Sequence, residues 1–278
     1  MADLITIAAV QFNVDFADRE SNLRRMLFFL EQTASEGAKL TVFPECALTG
    51  YCFDSLDEAR PHAEPIPGPS TEKMTQACKR LGCHVVYGLL EADGKKVFNA
   101  CVLVGPKGVV GSYRKVHLPF LGVDRFTTPG DRPFAVHNAG GIRVGMNICY
   151  DGSFPEAARV MTLDGADLIV LPTNWPPGSQ CMASCAVNTR AMENQIYYLA
   201  VNRIGAERGF RFIGMSKICA PGGSVLTEAM HENESILYAQ VDVDKARNKH
   251  LVRVPKLHEI DRIKDRRPEM YGRLVERK

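Results

Sequence analysis

The sequence predicts one layered α/β domain whose sheets are mixed rather than purely parallel. Short apolar segments typical of buried strands alternate with segments in which apolar residues recur at helical spacing. Several neighbouring strands are joined by tight turns, and Asp93-Gly94 between two apolar runs is a strong hairpin signal. No repeat, low-complexity segment or long linker divides the 278 residues. We therefore expect residues 1–278 to form a single domain.

The first half of the chain opens with a strand and a helix and continues into a group of strands. The first helix has leucine and methionine at helical spacing and is expected to end at Gly37, and the second is expected to begin at the N-cap residue Ser70 and to end at Gly82. Residues 46–69 are rich in Pro, Asp and Gly and are therefore predicted to form a loop. Strands are predicted at 5–12, 40–43, 85–90, 97–104 and 109–113, and helices at 20–36 and 70–81.

The second half is predicted to be irregular over 116–132 and to alternate strands with helices after that. Ser153 and Glu156 have the spacing of a capping box, which predicts the start of a helix that ends near Gly165. The last stretch, 250–278, is basic and has an apolar residue at about every third position. It is expected to be either a partly disordered tail or an arm that packs on a partner subunit. Strands are predicted at 142–148, 168–171, 197–202, 212–219, 224–226 and 237–241, and a further helix at 183–194.

The composition argues against several classes of protein. Lys and Arg number 34 and Asp and Glu 32, so the net charge of +2 lacks the basic excess of a nucleic-acid-binding protein. No apolar run approaches the ~18–20 residues needed to cross a bilayer. The N-terminal segment lacks the basic region and the small-residue cleavage site of a signal peptide, which predicts a cytoplasmic protein.

The nine cysteines are an odd number and include no Cys-x-x-Cys pair, so we expect them to remain thiols. Cys181 and Cys185 have helical spacing, but the sequence around them offers no further ligands of the kind a metal site needs. Neither a metal nor a cofactor is therefore expected.

Three apolar strands each end at a residue that is able to do chemistry: Glu45, Lys115 and Cys149. Because neighbouring strand ends in a sheet face a common crevice, a carboxylate, an ammonium and a thiol are expected to meet there. A thiol has an ordinary pKa of ~8.5 and attacks efficiently only as the thiolate. Such a site is suited to acyl transfer.

In that chemistry Glu45 removes the proton of Cys149 as a general base and returns it to the leaving nitrogen. Lys115 and the backbone N–H that follows the cysteine stabilise the tetrahedral oxyanion. The alternatives are a buried core thiol at Cys149 and an ordinary ion pair between the two charged residues. His117 lies two residues from Lys115, which suggests a Cys–His dyad with Cys149, but a structural role for the histidine is favoured.

The motifs around these residues resemble the three signature blocks of the nitrilase superfamily, which are carbon–nitrogen hydrolases with a Glu-Lys-Cys triad. The blocks are Phe-Pro-Glu at 43–45, Tyr-Arg-Lys-Val-His-Leu at 113–118, and Asn-Ile-Cys-Tyr-Asp at 147–151 with Phe-Pro-Glu at 154–156. They occur in the family order and with similar spacing. Supporting similarities lie at 48–51, 129–131, 190–194, 202–205 and 212–214, so the resemblance covers nearly the whole chain.

The resemblance implies a four-layer α-β-β-α sandwich of two mixed sheets and assembly as a homodimer or a higher homo-oligomer. It assigns Glu45 as base, Lys115 as oxyanion stabiliser and Cys149 as nucleophile. In one place the sequence departs from the family: where many relatives carry a second Glu, this chain has Val123, and the acid Asp124 follows it. We expect Asp124 to substitute for that Glu and to orient Lys115 or the substrate nitrogen; the alternative is a solvated loop acid or a helix-capping group.

Four residues on loops after strand ends are predicted to line the substrate pocket, although ordinary loop packing is the alternative for two of them, Tyr51 and Trp175. The predicted lining residues are Tyr51, Tyr150, Asn174 and Trp175. An apolar and aromatic wall favours a small, modestly polar substrate.

The predicted reaction is therefore hydrolysis of a small aliphatic amide or N-carbamoyl compound, with release of ammonia or an amine. The Tyr-Asp pair at 150–151 favours the amidase branches, whereas nitrilases in the superfamily more often have Trp-Glu there. An aliphatic nitrilase is the first alternative, and a non-catalytic thiol redox or binding protein is the second.

Overall fold

The computed structural model describes residues 4–276, which form two six-stranded sheets with helices on their outer faces. The first eight strands are β1 (Ile5–Gln11), β2 (Leu40–Val42), β3 (His84–Asp93), β4 (Lys96–Gly105), β5 (Gly108–Arg114), β6 (Val136–Ala139), β7 (Ile142–Met146) and β8 (Leu168–Thr173). The other eight are β9 (Tyr197–Asn202), β10 (Ile204–Glu207), β11 (Phe210–Ile213), β12 (Ser216–Cys219), β13 (Val225–Ala229), β14 (Ser235–Val241), β15 (His250–Val254) and β16 (His258–Asp261). The α-helices are α1 (Arg19–Ser35), α2 (Leu56–Ala59), α3 (Pro69–Leu81), α4 (Pro155–Leu163), α5 (Val187–Asn194) and α6 (Val243–Arg247).

Both large sheets are mixed, as the sequence predicted. The first has the strand order β14-β1-β2-β3-β4-β5, in which β1, β2 and β3 are parallel and the outer pairs antiparallel. The second has the order β13-β12-β9-β8-β7-β6, in which β7, β8 and β9 are parallel. Two parallel trios with antiparallel flanks explain why the sequence shows both hairpin signals and strand–helix alternation.

The layers are held together by buried side chains on both faces of each sheet. One apolar cluster lies between the two sheets and extends to α4 and α5 on the far side of the second sheet. Another joins the outer face of the first sheet to α1 and α3 through Met26, Leu30 and Met74, none of which is exposed. Burial of each such side chain contributes roughly 1.5–3 kcal/mol to folding. The α-β-β-α sandwich is therefore confirmed.

Two predicted helix starts are wrong by one or two residues, and proline is the cause in both. Helix α3 has Gly68 as its N-cap and begins at Pro69, so Ser70 lies inside the helix and bonds to Glu64 and Tyr87. Helix α4 begins at Pro155 rather than at the predicted cap Ser153. Proline suits the first helical position because its φ is already helical and it has no N–H that needs a partner.

Other differences lie where the chain turns. The predicted strand 212–219 is two strands, because Gly214 and Met215 both have φ near +61° and separate β11 from β12. The predicted loop 46–69 contains the short helix α2.

Within the described part of the C-terminal stretch, 250–276, the chain forms the hairpin β15–β16, followed by two short 3₁₀ turns. Its packing on a partner subunit stays a prediction, as do the homodimer and the cytoplasmic location. Across residues 4–276, no helix is both long enough and apolar enough to cross a membrane.

Candidate active site

Glu45, Lys115 and Cys149 each follow the end of a strand, but the strands belong to different sheets. Glu45 follows β2 and Lys115 follows β5, both in the first sheet, whereas Cys149 follows β7 in the second. The three residues therefore meet between two packed sheets. The sequence instead predicts that they meet at neighbouring strand ends of one sheet. All three are buried, and the cysteine residue is 7% exposed.

The Lys115 ammonium is the centre of a buried polar cluster. Its Nζ lies 2.7 Å from Glu45 Oε1 and 2.5 Å from Asp124 Oδ2. The side-chain amide of Asn99 donates to both carboxylates, at 2.7 Å to Glu45 Oε1 and 2.8 Å to Asp124 Oδ1. The hydroxyl of Tyr51 donates to Asp124 Oδ2 at 2.8 Å. One cation thus lies between two carboxylates, and all three side chains are fully buried.

This arrangement keeps Lys115 charged. Burial works against the ammonium, but the adjacent Asp124 and Glu45 outweigh it and raise the pKa of Lys115 well above its ordinary value. For Glu45 the balance is different: burial raises the pKa of its carboxyl, Lys115 lowers it and Asp124 raises it, with a net rise. A carboxyl with a raised pKa is a better proton acceptor than an exposed one.

Cys149 occupies a backbone conformation that is uncommon for a residue with a side chain. Its φ is +46°, at the first position of a 3₁₀ turn over Cys149–Ser153. Burial is the main cause of a strong rise in the pKa of the thiol, and Glu45 adds to it, whereas Lys115 and the backbone N–H of Asn174 act in the opposite direction. The raised pKa favours the thiol form of the sulfur near neutral pH, and a thiol becomes an efficient nucleophile only after it loses its proton.

The Glu45 carboxylate is close enough to Cys149 to raise the pKa of the thiol. Oε1 of Glu45 is held by Lys115 and Asn99, but the other oxygen, Oε2, is buried and has no hydrogen-bond partner. A buried carboxylate oxygen without a partner is costly and calls for an explanation, which acceptance of a proton would supply.

The four predicted pocket residues have different environments. Tyr51 is buried, and its hydroxyl bonds to Asp124 and to the carbonyl of Leu121. Asn174 is fully buried, and neither polar atom of its side chain has a partner. Trp175 is almost fully buried, whereas Tyr150 is 41% exposed and packs edge-on against Phe154.

Two asparagines of this region were not predicted as functional residues. Asn99 interrupts the apolar run of β4, and a buried amide in such a run is a signal that something polar lies opposite. Asn202 is also fully buried and bonds to both backbone groups of Trp175, through Oδ1 to its N–H at 2.8 Å and through Nδ2 to its carbonyl at 3.2 Å. Asn202 therefore fixes the loop that carries Asn174.

His117 lies two residues beyond Lys115 and bonds through Nδ1 to Asp151 at 2.7 Å. Among the residues that the structure describes, no group of three or more His, Cys, Asp or Glu side chains is arranged to hold a metal ion.

Comparison with known proteins identifies the family. The family model for carbon-nitrogen hydrolases matches residues 6–250. The chain is 37% identical over 271 residues to a protein from Pyrococcus abyssi named nitrilase, covering 97% of this chain and 100% of the relative. It is 32% identical over 277 residues to an (R)-stereoselective amidase from Pseudomonas sp., covering 97% and 94% of the two chains.

A solved structure has the same fold. It is a variant of the amidase from Nesterenkonia sp. AN1, with the acetamide moiety of fluoroacetamide added covalently at the active-site cysteine. The TM-score is 0.81, the identity 23%, and the coverage 98% of this chain and 97% of that one. Family model and relatives agree over nearly the whole chain, and we conclude that it belongs to the carbon–nitrogen hydrolase family, the nitrilase superfamily, as an enzyme that hydrolyses carbon–nitrogen bonds.

Proposed function

We propose that this hydrolase cleaves the C–N bond of a small aliphatic amide or N-carbamoyl compound through a thioester on Cys149. The proposal depends on the Glu45 carboxylate, which Lys115 holds through one oxygen while the other is buried and unpartnered, and which is close enough to Cys149 to raise the pKa of its thiol. The covalent acetamide adduct of the Nesterenkonia amidase and the name of the Pseudomonas relative support an amide substrate.

In the first half of the proposed reaction, Glu45 takes the proton of Cys149 and the thiolate attacks the carbonyl carbon. The new C–S bond converts the carbonyl oxygen to an oxyanion. Lys115 is charged and buried, so its attraction for that oxyanion is weakened little by water. The backbone N–H of Tyr150, in the first turn of the 3₁₀ segment, is a second donor.

The protonated Glu45 then gives its proton to the nitrogen, the C–N bond breaks, and ammonia or an amine leaves. In the second half Glu45 activates a water molecule, whose oxygen forms a bond to the thioester carbon. The C–S bond breaks as the acid forms, and the proton held by Glu45 returns to the sulfur of Cys149.

Asp124 and Asn99 are proposed to hold Lys115 and Glu45 in place. Asp124 binds the Lys115 ammonium at 2.5 Å, and Asn99 bridges Asp124 to Glu45. The family's second glutamate has a longer side chain than Asp124, but here the aspartate reaches Lys115 directly. This placement supports a role in orienting Lys115.

A nitrilase activity is the second candidate, and the name of the Pyrococcus abyssi relative favours it. The same three residues would serve, with thiolate attack on a nitrile carbon and two additions of water. The substrate test should therefore include nitriles.

The deciding experiment is ammonia release from a panel of small aliphatic amides, N-carbamoyl amines and aliphatic nitriles, with Cys149→Ser as the control. We expect release from amides or carbamoyl compounds and none from the control. Release from nitriles alone, with little free amide, would move the protein to the nitrilase reaction. Activity that survives in Cys149→Ser would overturn the thioester route.

The acid limb of the pH profile provides a further prediction. Burial raises the pKa of Glu45 above its ordinary 4.5, and only the ionised carboxylate accepts the thiol proton. Activity is therefore present above the raised pKa and lost as the pH falls through it. We expect kcat/KM to decline with a midpoint clearly above 4.5. Circular dichroism at each pH separates this effect from unfolding, and a midpoint at or below the ordinary value would contradict the role of Glu45 as base.

A further inference from the structure

Asp151 is a fully buried carboxylate that lies two residues beyond Cys149 and has every acceptor position occupied. Its Oδ2 accepts from the backbone N–H of Ile148 at 2.9 Å and from the hydroxyl of Tyr113 at 2.8 Å. Its Oδ1 accepts from the backbone N–H of His117 at 3.0 Å and lies 2.7 Å from His117 Nδ1. A carboxylate offers about four lone-pair positions, and all are used here.

The partners of Asp151 come from the two segments that carry the proposed chemistry. Tyr113 and His117 lie two residues to either side of Lys115, and Ile148 directly precedes Cys149. Lys115 follows a strand of the first sheet and Cys149 a strand of the second. The Asp151 carboxylate therefore ties together two segments that no continuous strand pairing connects, at the point where sulfur and ammonium must act on one carbonyl group.

The same carboxylate closes the turn that contains the thiol. The backbone N–H of Asp151 donates to the carbonyl of Ile148 at 2.9 Å, and the Ile148 N–H donates back to Asp151 Oδ2 at 2.9 Å. Between these two residues Cys149 has a φ of +46°. Such a conformation persists only where the surrounding structure over-determines it, and the reciprocal pair supplies that restraint.

The imidazole of His117 is held from two directions. Its Nδ1 bonds to Asp151, and its ring stacks on Phe154 with centroids 3.7 Å apart and planes 11° apart. Phe154 directly precedes α4. The segment after Lys115 is thereby fixed both to the Asp151 carboxylate and to the start of the helix after Cys149.

We infer that Asp151 is a positioning residue that sets where the Cys149 sulfur stands relative to the Lys115 ammonium. The inference rests on the proposed function, because it assigns the reaction to those two groups. Asp151 itself has no free oxygen with which to touch a substrate, so it acts through its neighbours. A displacement of about 1 Å in a reacting group costs about 10²-fold in rate, which sets the size of the expected effect.

The test compares Asp151→Asn with the matched variant Asp167→Asn. Asparagine keeps the shape of aspartate but presents an N–H₂ group to partners that are themselves donors. Asp167 is also fully buried, but it bonds to Arg143 and Arg247 at the other end of β7 and β8. We expect kcat of Asp151→Asn to fall about 100-fold while KM changes less than about threefold, and alkylation of Cys149 by iodoacetamide to slow at least about tenfold. Asp167→Asn should lose thermal stability and keep both rates.

A folded Asp151→Asn protein with kcat and alkylation rate within about threefold of wild type would overturn the inference. If that variant does not fold, Tyr113→Phe removes a single donor, and an unchanged alkylation rate in that variant would overturn the inference as well. The two proposals fail separately. Full activity of a protein without the Cys149 sulfur contradicts the proposed function, whereas an inactive Cys149→Ser protein beside a fully active Asp151→Asn protein contradicts this inference alone.

Discussion

Replacement of Cys149 by alanine is expected to abolish ammonia release from any substrate that the wild-type enzyme accepts. In the proposed mechanism the sulfur is the atom that bonds to the substrate carbon, so the thioester cannot form without it. Loss of a nucleophile that acts together with its base lowers kcat by at least about 10⁴-fold in comparable triads. The fold should persist, because the change removes one atom from a turn that main-chain and Asp151 hydrogen bonds hold. Steady-state ammonia release and thermal unfolding of the same preparation check both parts.

Cys219→Ala is the matched control for this variant. Cys219 is also a buried free thiol, but it lies on β12 near the opposite edge of the second sheet from β7. We expect this variant to keep its activity, and we expect substrate to slow iodoacetamide labelling of Cys149 while labelling of exposed Cys181 continues. Turnover by Cys149→Ala within about tenfold of wild type would refute the assignment of the nucleophile.

The contrast between Lys115 and Asn99 shows how much of the candidate site the sequence predicts. Lys115 ends an apolar strand within a family motif, so its chemistry is visible locally. Asn99 lies inside an apolar strand, and only the antiparallel register of β4 on β5 brings it beside Lys115, whose N–H donates to the Asn99 carbonyl at 2.8 Å. Register depends on pairing between strands, which a single sequence does not state.

For the fold as well, features set by local sequence are predictable, whereas features set by strand pairing are not. Strands such as β1 and β4 are mostly apolar, and the sequence predicts them to within a few residues. The partition of strands between sheets is not local: β13 and β14 are neighbours in sequence but lie in different sheets, and β14 pairs with β1 across more than 200 residues. The family resemblance predicted the two-sheet sandwich, but only the structure shows that it places Glu45 and Cys149 on opposite sheets.

Replacement of Lys115 by methionine is expected to remove both activity and stability. The variant loses the cation proposed to stabilise the oxyanion, and it also alters the base. Lys115 lowers the pKa of Glu45, so its removal raises that pKa further and leaves the carboxyl protonated nearer neutral pH. Loss of one partner from a buried ion pair costs about 3–5 kcal/mol of unfolding free energy. Urea denaturation and the amide assay on the same preparation measure the two losses.

The pH dependence and a second substitution separate these two effects of Lys115→Met. Without the ammonium, Glu45 and Asp124 are two buried carboxylates that have lost the cation between them. The cost of ionising buried Glu45 begins as the pH rises past its unfolded pKa and is full above its raised folded pKa, so it is relieved as the pH falls through that window. The stability difference from wild type should therefore shrink as the pH is lowered. Lys115→Met combined with Asp124→Asn has one carboxylate fewer, so we expect it to regain part of the lost stability and none of the activity. A stability difference that is independent of pH, together with no recovery in the double variant, would show that Lys115 is not the counter-charge of these carboxylates.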